Sequence, residues 1–403
     1  MNSMTTRAQF DQHMVPNYAP FQQVPERGEG PYVYTEDGQQ LIDMAGGIAV
    51  SALGHCYPPL VEALTTQAHK LWHVSNLMAN KPATDLAAML CESTFAERVF
   101  FCNSGAEANE AALKLARRYA YETRGAAKNR IVAFDNAFHG RTLFTVSVGG
   151  QPKYQEGFGP CPTGISHTPY NDVAALRASM DDDVCAIILE PFQGEGGMTP
   201  ATPEFLAAAR ALADQYGALL IFDEVQSGVG RAGQLYAYQA VGVTPDILSS
   251  AKALGCGFPI GAMLTTAEIA RVLTPGTHGT TSGGNPLACA VALAAVDTIR
   301  QPQFLQNVRD NTAWMHAELV AMGERTGAFR DVRNLGLWFG CELNPVLENR
   351  AGDIMNHGLQ HGVMLLVAGA NVVRLAPALN TDRDVLALGL SKMEAAITDT
   401  LGG

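Results

Sequence analysis

The run Leu219-Leu220-Ile221-Phe222 is followed directly by Asp223-Glu224-Val225-Gln226. Consecutive apolar residues of this kind are typical of a strand that is buried on both faces, as in a parallel sheet covered by helices. Ligands of such sheets bind beyond the carboxyl ends of the strands. This stretch therefore predicts an α/β fold with polar side chains at the end of a buried strand.

A repeated pattern extends on both sides of this stretch, from about residue 97 to about residue 266. Short apolar runs alternate there with amphipathic stretches, which is the pattern of parallel strands and crossover helices. The clearest helix is predicted over Pro203–Tyr216, with Thr202 as its cap and Gly217 at its end. A second helix is predicted from Ala106 to about Thr123. The other strands are predicted at Val99–Cys102, Ile131–Phe134 and Ala186–Leu189.

The segments that flank this core differ from it in character. Residues 20–45 carry glycines around short alternating runs, which predicts a small hairpin. Residues 300–403 begin with long helical patterns and return to strands near Leu337–Gly340 and Val372–Leu375. The predicted architecture is a large, mainly parallel-sheet α/β domain over residues 61–298 and a smaller α+β domain over residues 299–403, to which residues 1–60 contribute.

The composition excludes several classes of protein. The chain has 403 residues, of which 47% are hydrophobic, so it can bury a large core and divide into about two or three lobes. Lys and Arg number 27 and Asp and Glu number 39, which gives a net charge of −12. No basic run could neutralise a row of phosphates. We therefore expect no nucleic acid among its partners.

The cysteines and the apolar stretches indicate the cellular compartment of the protein. The 8 cysteines are scattered, with no C-x-x-C pair and no histidine at zinc-ligand spacing, so we expect reduced thiols and no metal site. Met1–Val15 has no apolar block and is not expected to be a signal peptide. The longest apolar stretch, Leu287–Val296, is far shorter than the roughly 20 residues that span a bilayer. The sequence thus predicts a cytoplasmic protein without a membrane partner.

Candidate chemistry lies at three places in the predicted α/β region. Ser104-Gly105-Ala106 opens a helix, where a hydroxyl and free N–H groups favour an anion such as a phosphate, although an ordinary helix cap is the alternative. Asp223 could pair with the ring nitrogen of a pyridine cofactor and keep it protonated. Lys252, among small residues, could form an imine, although on its own it would be interpreted as a surface lysine.

Apolar residues followed by Asp223-Glu224 also resemble the magnesium-binding strand of a P-loop ATPase. That class of enzyme needs an upstream G-x-x-x-x-G-K-[ST] loop, which the chain lacks. Ser104-Gly105, Asp223 and Lys252 instead supply, in this order, a phosphate cradle, a pyridinium partner and an imine-forming amine. The set indicates pyridoxal 5'-phosphate as the cofactor.

Five longer motifs extend this set along the chain. They are FCNSGAEAN (Phe101–Asn109), FHGR (Phe138–Arg141), EPFQGEGG (Glu190–Gly197), DEVQSG (Asp223–Gly228) and GTTSGGNP (Gly279–Pro286). With these motifs the chain resembles the class III aminotransferases of fold type I, and within these the acetylornithine and succinylornithine aminotransferases. The resemblance runs from Tyr18 to Pro377, and it implies the fold-type-I architecture, pyridoxal phosphate and a homodimer.

The resemblance implies a role for each cofactor-binding residue. Lys252 would carry the cofactor as an imine and, once substrate displaces it, shuttle a proton. Asp223 would pair with the ring nitrogen, and Gln226 would bond the ring hydroxyl. Phe138 and Val225 would pack on the two faces of the ring. The phosphate would be held by Ser104, Gly105 and Ala106, and by Thr281 of the neighbouring subunit.

The resemblance also assigns a substrate pocket. Arg141 would grip the α-carboxylate of an N-acylated ornithine through paired guanidinium bonds, and Tyr18 and Thr280 would line the same pocket. Arg374 would take the α-carboxylate of glutamate or 2-oxoglutarate, and Glu195 would pair with Arg374 when the other donor is bound. For each arginine, a surface salt bridge is the alternative.

The implied activity is transfer of the δ-amino group of N2-acetylornithine or N2-succinylornithine to 2-oxoglutarate, a reaction of arginine metabolism. Phe192, Cys256 and Ser282 depart from the family pattern, so the preferred amino donor could differ. The alternatives are an ω-amino acid or diamine aminotransferase, a related racemase, and a homodimeric binding protein without catalysis. His139 is expected to be a hydrogen-bonded core residue without a catalytic role.

Overall fold

The structure is a computed structural model that describes residues 5–402. The predicted flanking regions also include residues 1–4 and 403, which lie outside the described residues. The helices are Thr6–His13, Gly46–Ala49, Pro58–Ala68, Lys81–Ser93, Gly105–Arg124, Leu143–Val148, Val173–Ser179, Pro203–Tyr216, Ala237–Val241, Ala267–Ala270, Pro286–Ile299, Pro302–Thr326, Ala351–His361 and Arg383–Gly402.

A seven-stranded sheet forms the centre of the molecule. Gly261–Thr265 runs antiparallel to both of its neighbours, and every other neighbouring pair is parallel. The prediction of a large, mainly parallel sheet is therefore confirmed. In spatial order the strands are Arg98–Cys102, Gly261–Thr265, Ile247–Ser250, Leu219–Asp223, Val184–Leu189, Arg130–Phe134 and Ile165–Thr168.

The central strands direct alternate side chains into two cores. In Leu219–Asp223, Ile221 packs in the same cluster as residues of the helix Gly105–Arg124. Leu220 and Phe222 pack into the larger core on the opposite face. The whole strand is buried because helices cover both faces of the sheet, which explains its unbroken run of apolar residues.

Two helices that pack on the central sheet follow their capping signals. Pro203–Tyr216 begins after Thr202, whose side chain accepts a hydrogen bond from the N–H of Phe205, and it ends at Gly217 with φ of 59°. These bounds are those predicted. Gly105–Arg124 begins one residue earlier and ends one residue later than predicted, because Ser104 provides its cap.

Two four-stranded sheets flank the central one, and Phe192–Gln193 pairs with Thr199–Pro200 in a separate two-stranded sheet. The amino-terminal segment forms three antiparallel strands where a hairpin is predicted, and the last of them pairs in parallel with Val363–Met364 from the carboxyl-terminal region. This pairing joins the two ends of the chain, while the predicted domain bounds at residues 61 and 299 remain a prediction. The strands of the two sheets are Pro25–Glu29, Tyr32–Thr35, Gln40–Asp43 and Val363–Met364, then Phe329–Asn334, Phe339–Leu343, Val372–Leu375 and Leu366–Val367.

One predicted strand is displaced by a local contact. The strand expected near Leu337–Gly340 begins only at Phe339. Leu337 precedes it because its backbone N–H donates to the carbonyl of Arg231 over 3.0 Å rather than to a neighbouring strand. Within residues 5–402, no helix is long and apolar enough to cross a membrane. The same residues contain no group of His, Cys, Asp or Glu that could hold a metal ion.

Candidate active site

A cavity of about 460 Å³ opens at the carboxyl ends of the strands Leu219–Asp223 and Ile247–Ser250. This is the edge of a parallel sheet at which ligands bind. Most of the predicted site residues meet there. Its lining includes Ser104, Gly105, Ala106, Phe138, Arg141, Asp223, Val225, Gln226 and Lys252.

Lys252 begins a short 3-10 turn just after the buried strand Ile247–Ser250. Its φ of 47° is in the left-handed region, which costs a non-glycine residue about 1–3 kcal/mol. Burial lowers the pKa of its amine from the ordinary 10.5 to about 8; the charge of Arg374 acts in the same direction, and Glu195 opposes it. The turn therefore presents a lysine with an enlarged neutral fraction, as a nucleophilic amine requires.

The Asp223 carboxylate is fixed by hydrogen bonds on both oxygens. Asn109 Nδ2 donates to Oδ2 over 2.7 Å, and His139 Nδ1 lies 2.8 Å from the same oxygen. Oδ1 accepts from the backbone N–H of Val225 over 3.0 Å. Because a carboxylate oxygen has two lone pairs, Oδ1 can accept one further hydrogen bond. Asp223 is thus held in one orientation in the cavity wall.

The helix Gly105–Arg124 begins at the cavity. Ser104 Oγ accepts from the N–H of Glu107 over 3.2 Å and lies 3.1 Å from the carboxylate of the same residue. The first N–H groups of a helix have no partner within it and favour an anion. A side chain at position 105 is excluded, because an added Cβ would lie 2.7 Å from Val225 Cγ1. Gly105 therefore brings the helix start into close contact with Val225.

Gln226 contacts an ion pair that Arg374 and Glu195 form. Arg374 Nη1 donates to Glu195 Oε1 over 2.6 Å and to the carbonyl of Gly194 over 3.3 Å. Burial raises the pKa of Glu195, but the charge and hydrogen bond of Arg374 lower it below its ordinary value. Gln226 adds a hydrogen bond that also stabilises the Glu195 carboxylate. Through Gln226, the ion pair is connected to the wall of the cavity.

Arg141 is placed differently. It is exposed in the wall of the cavity, and no carboxylate within residues 5–402 forms an ion pair with it. Its guanidinium carbon lies 3.7 Å from the centre of the Tyr154 ring and 5.5 Å from that of the Phe138 ring. Its hydrogen-bond donors are therefore free to bind a carboxylate from outside the chain.

Glu190 is buried between the ring-binding and ion-pair parts of the site. It accepts from the N–H of Phe138 over 2.9 Å and from the N–H of Gly194 over 3.4 Å. Burial and the negative charge of Asp223 raise the pKa of Glu190 well above its ordinary value. Ionisation of Glu190 is thus disfavoured next to the negative charge of Asp223.

The remaining predicted residues lie outside the lining of this cavity, as do Glu195 and Arg374. Tyr18 is 74% exposed. Thr280 Oγ1 accepts from Asn103 Nδ2 over 3.2 Å and so lies close to the helix start at Ser104. Thr281 is exposed. A single chain therefore assembles the cofactor end of the predicted site, whereas the roles of Tyr18, Thr280 and Thr281 remain predictions.

Comparison with known proteins identifies the family. The family model for class III aminotransferases matches residues 14–397. The chain belongs to the class III aminotransferases. It is 55% identical to the acetylornithine aminotransferase of Pseudomonas putida, over 98% of both chains. It is 54% identical to the succinylornithine transaminase/acetylornithine aminotransferase of Pseudomonas aeruginosa, over 100% of this chain and 99% of that protein.

A solved relative has the same fold. The crystal structure of N-acetylornithine aminotransferase from Stenotrophomonas maltophilia superimposes with a TM-score of 0.85 and 40% identity, covering 96% of this chain and 98% of that one. Class III aminotransferases are pyridoxal-phosphate enzymes of fold type I. The fold class, the family and the cofactor predicted from the sequence are therefore confirmed.

The residues of this class III aminotransferase fit pyridoxal phosphate. Gln226 Oε1 is buried and has no hydrogen-bond partner among residues 5–402, as expected of a group whose partner belongs to a ligand. Asp223 Oδ1 can accept from a protonated ring nitrogen. Phe138 and Val225 both line the cavity, and the helix start at Gly105 offers N–H groups to a phosphate.

Asn109, His139 and Glu190 also line the cavity, and their contacts were not predicted. Asn109 lies four residues after Gly105, so helical periodicity places both on one face and could have identified it. Glu190 directly follows the strand Val184–Leu189, and the strand-end rule that singled out Asp223 applies to it equally. His139 is buried and hydrogen-bonded as expected, but its partner is Asp223 across a loop, which no sequence pattern indicates.

The ATPase alternative does not fit this site. Glu224 does not line the cavity. Its carboxylate accepts hydrogen bonds from the N–H groups of Ala237 and Tyr238 at the start of a helix. Burial raises its pKa to about 7. Glu224 therefore has a structural role.

Proposed function

We propose that this class III aminotransferase transfers the δ-amino group of N2-acetylornithine or N2-succinylornithine to 2-oxoglutarate. The products are an N-acyl glutamate 5-semialdehyde and glutamate, and the reaction belongs to arginine metabolism. The observation that carries the proposal is the contrast between the two arginines of the site. Arg141 has no anionic partner within the described residues, whereas Arg374 is paired with Glu195. The names of the Pseudomonas relatives support the same substrates.

We assign the cofactor-binding residues as follows. Pyridoxal phosphate, when bound, supplies an electron sink for the bonds of the substrate carbon. Lys252 Nζ holds the cofactor and then moves a proton. The Asp223 carboxylate keeps a proton on the ring nitrogen, and its contacts with Asn109 and His139 hold it in place. Gln226 bonds the ring hydroxyl through its unpaired Oε1.

We assign the substrate carboxylates to the two arginines. Arg141 binds the α-carboxylate of the acylornithine, and Tyr18 and Thr280 line the acyl end of the pocket. Glu195 keeps Arg374 neutralised while this donor is bound. When glutamate or 2-oxoglutarate enters, Glu195 moves away and Arg374 takes its α-carboxylate. One site can then accept two substrates of different charge distribution in the two half-reactions.

We also propose that the enzyme is a homodimer in which Thr281 completes the phosphate site of the neighbouring subunit. Large apolar side chains are exposed between residues 71 and 78: Trp72 is 64% and Leu77 is 95% exposed. Exposed apolar patches of this kind mark protein interfaces. Asn76 in this segment donates to the carbonyls of Thr280 and Gly283, so the apolar segment and the Thr281 loop are fixed together.

We place the activity in the cytoplasm. All 8 cysteines are free thiols, and five of them are buried: Cys102, Cys185, Cys256, Cys289 and Cys341. Unpaired cysteines of this number are typical of a reducing compartment.

The visible spectrum of the cofactor-loaded protein tests the proposed function. N-acetylornithine and N-succinylornithine are added separately, without a keto acid. Conversion of the absorption band of pyridoxal phosphate to that of pyridoxamine phosphate supports amino transfer and ranks the two acyl groups. A coloured protein that ignores both compounds but reacts with diamines or ω-amino acids contradicts the substrate assignment. A protein that never takes up the cofactor favours a binding protein without catalysis.

A further inference from the structure

Tyr154 is a residue of the cavity region for which the proposed function has no use. It ends the short 3-10 turn Pro152–Tyr154. The Arg141 guanidinium carbon lies 3.7 Å from the centre of its ring, a distance at which the guanidinium lies over the aromatic face. The Tyr154 and Phe138 rings are nearly perpendicular, at 86°, with centres 6.1 Å apart. Arg141 therefore lies beside two aromatic rings, those of Tyr154 and Phe138, that are nearly perpendicular to each other.

Stacking of this kind leaves the hydrogen-bonding edge of the guanidinium free. The ring contacts the flat face of the group, whereas all N–H donors of arginine point outward in its plane. A carboxylate binds in that plane through two parallel hydrogen bonds. An exposed arginine otherwise samples many rotamers, and a substrate must restrict them upon binding. Tyr154 thus restricts the arginine without using its donors.

The turn that carries Tyr154 is itself fixed to the segment that carries Phe138. Gln151 Nε2 lies 3.3 Å from the carbonyl of Asn136 and 3.4 Å from that of Ala137. On the other side, Gln155 Nε2 donates to the carbonyls of Val146 and Gly149, each over 3.1 Å. Because side-chain amides hold the turn from both flanks, the Tyr154 ring has a defined position relative to Arg141.

We propose that Tyr154 is a specificity-determining positioning residue. Its ring holds the Arg141 guanidinium in one orientation, so that Arg141 recognises the α-carboxylate of the amino donor. This inference rests on the proposed function in one respect, namely that Arg141 binds a substrate carboxylate. Arg374 needs no such support, because it is buried and also donates to the carbonyl of Gly194. Because Arg374 takes the α-carboxylate of glutamate, Tyr154 affects the acylornithine half-reaction more than the glutamate half-reaction.

The test compares three variants of the cofactor-loaded enzyme. Tyr154→Leu removes the ring, and Tyr154→Phe keeps the ring but removes the hydroxyl. Tyr34→Leu is the matched control, because Arg27 lies 3.5 Å over the Tyr34 ring, away from the cavity. Each variant is assayed in single half-reactions with N-acetylornithine and with glutamate, and with N-acetylputrescine, which lacks the α-carboxylate.

We expect Tyr154→Leu to raise the half-saturating concentration of N-acetylornithine about tenfold, with a limiting rate within about threefold of that of the unchanged enzyme. Glutamate should be affected less, because Arg374 takes its α-carboxylate, and N-acetylputrescine should react as before. Tyr154→Phe and Tyr34→Leu should behave like the unchanged enzyme. Unaltered N-acetylornithine kinetics in Tyr154→Leu would overturn the proposal. An equal loss with N-acetylornithine and N-acetylputrescine would overturn it too, since that result indicates only a structural role.

A binding measurement separates this inference from the proposed function. N-acetylnorvaline carries the same α-carboxylate and acyl group but has no δ-amino group to transfer. Its dissociation constant, measured by calorimetry, should rise about tenfold in Tyr154→Leu and stay unchanged in Tyr34→Leu. This result would support the role of Tyr154 even if acylornithines prove not to be amino donors. Equal affinity in all variants, or no binding even to the unchanged enzyme, would refute it.

Discussion

Arg141 and Arg374 are oriented by opposite means. The Arg374 side chain is 3% exposed, and its charge is opposed by Glu195 at 2.6 Å. Arg141 is exposed, has no anionic partner within the described chain and lies against an aromatic ring. Burial of a guanidinium is costly unless a counter-charge or hydrogen bonds compensate it, whereas an exposed guanidinium can be held by stacking alone.

The difference has a consequence for what each arginine can recognise. Arg141 is always free to bind a carboxylate, so a substrate that carries one at that position gains affinity from it. Arg374 is ready only when Glu195 leaves it, so a substrate without a carboxylate at that position is also accepted. Arg141 is thus a permanent carboxylate site, and Arg374 is a conditional one. Because one enzyme must bind an acylornithine and glutamate in turn, the two sites together accommodate both substrates. The following predictions test this contrast.

The largest effect is expected from the loss of Lys252, because both half-reactions depend on this lysine. Lys252→Ala should slow both half-reactions by about 10³-fold or more, since proton transfer by a positioned amine is lost. Borohydride treatment of the unchanged enzyme should fix the cofactor to Lys252, as shown by peptide mapping. Lys392→Ala, which removes a lysine that donates to the carbonyl of His361 away from the cavity, should retain both half-reactions. Fixation of the cofactor on any other lysine would contradict the assignment.

Exchange of each arginine for alanine should separate the two half-reactions. Arg141→Ala should reduce kcat/KM for acylornithine about 10- to 150-fold, because charged hydrogen bonds contribute about 1.5–3 kcal/mol, and should reduce that for glutamate much less. Arg374→Ala should show the reverse preference. Single half-reactions with each donor, followed by stopped-flow absorbance, provide the measurement.

Thermal unfolding of the same two variants sharpens the comparison. Arg374→Ala leaves the Glu195 carboxylate without its partner in a mostly buried position, so its Tm should fall. Arg141→Ala should leave Tm nearly unchanged, because the side chain is exposed and unpaired. If both variants lose stability equally, the distinction between a permanent and a conditional site is wrong.

A smaller effect is expected when Glu195, the counter-charge of Arg374, is neutralised. Glu195→Gln keeps the shape of the contact but removes the charge that competes with glutamate for Arg374. We expect the KM for glutamate to fall and that for acylornithine to rise, each about three- to tenfold, the scale of a partly exposed ion pair. Glu394→Gln, which weakens a surface pair with Arg325, is a suitable control. A parallel change for both donors would argue against a switch.

The sequence predicted much of this arrangement, and the exceptions have physical reasons. The buried strands were predictable because two-sided burial demands unbroken apolar runs, and Asp223 follows from the strand-end rule. The hydrogen bond between His139 and Asp223 was not, because it joins residues 84 positions apart through a loop. The stacking of Tyr154 on Arg141 is similar, since a helix and a turn intervene between them.

The smallest predicted effect is a shift in pH dependence, and it also distinguishes the two arginines. The pKa of Lys252 is lowered to about 8 chiefly by burial, with Arg374 lowering it further and Glu195 raising it. Only the neutral amine captures pyridoxal phosphate, so uptake by the cofactor-free protein should accelerate as the pH rises through about 8 and then level off. Arg374→Ala should move this midpoint to higher pH, because a neighbouring positive charge is lost. Glu195→Gln should move it lower, and Arg141→Ala should leave it unchanged. Stopped-flow uptake from pH about 6 to about 10 measures all three midpoints, and an equal displacement by both arginine variants would show that Arg141, too, contributes to the field at the amine.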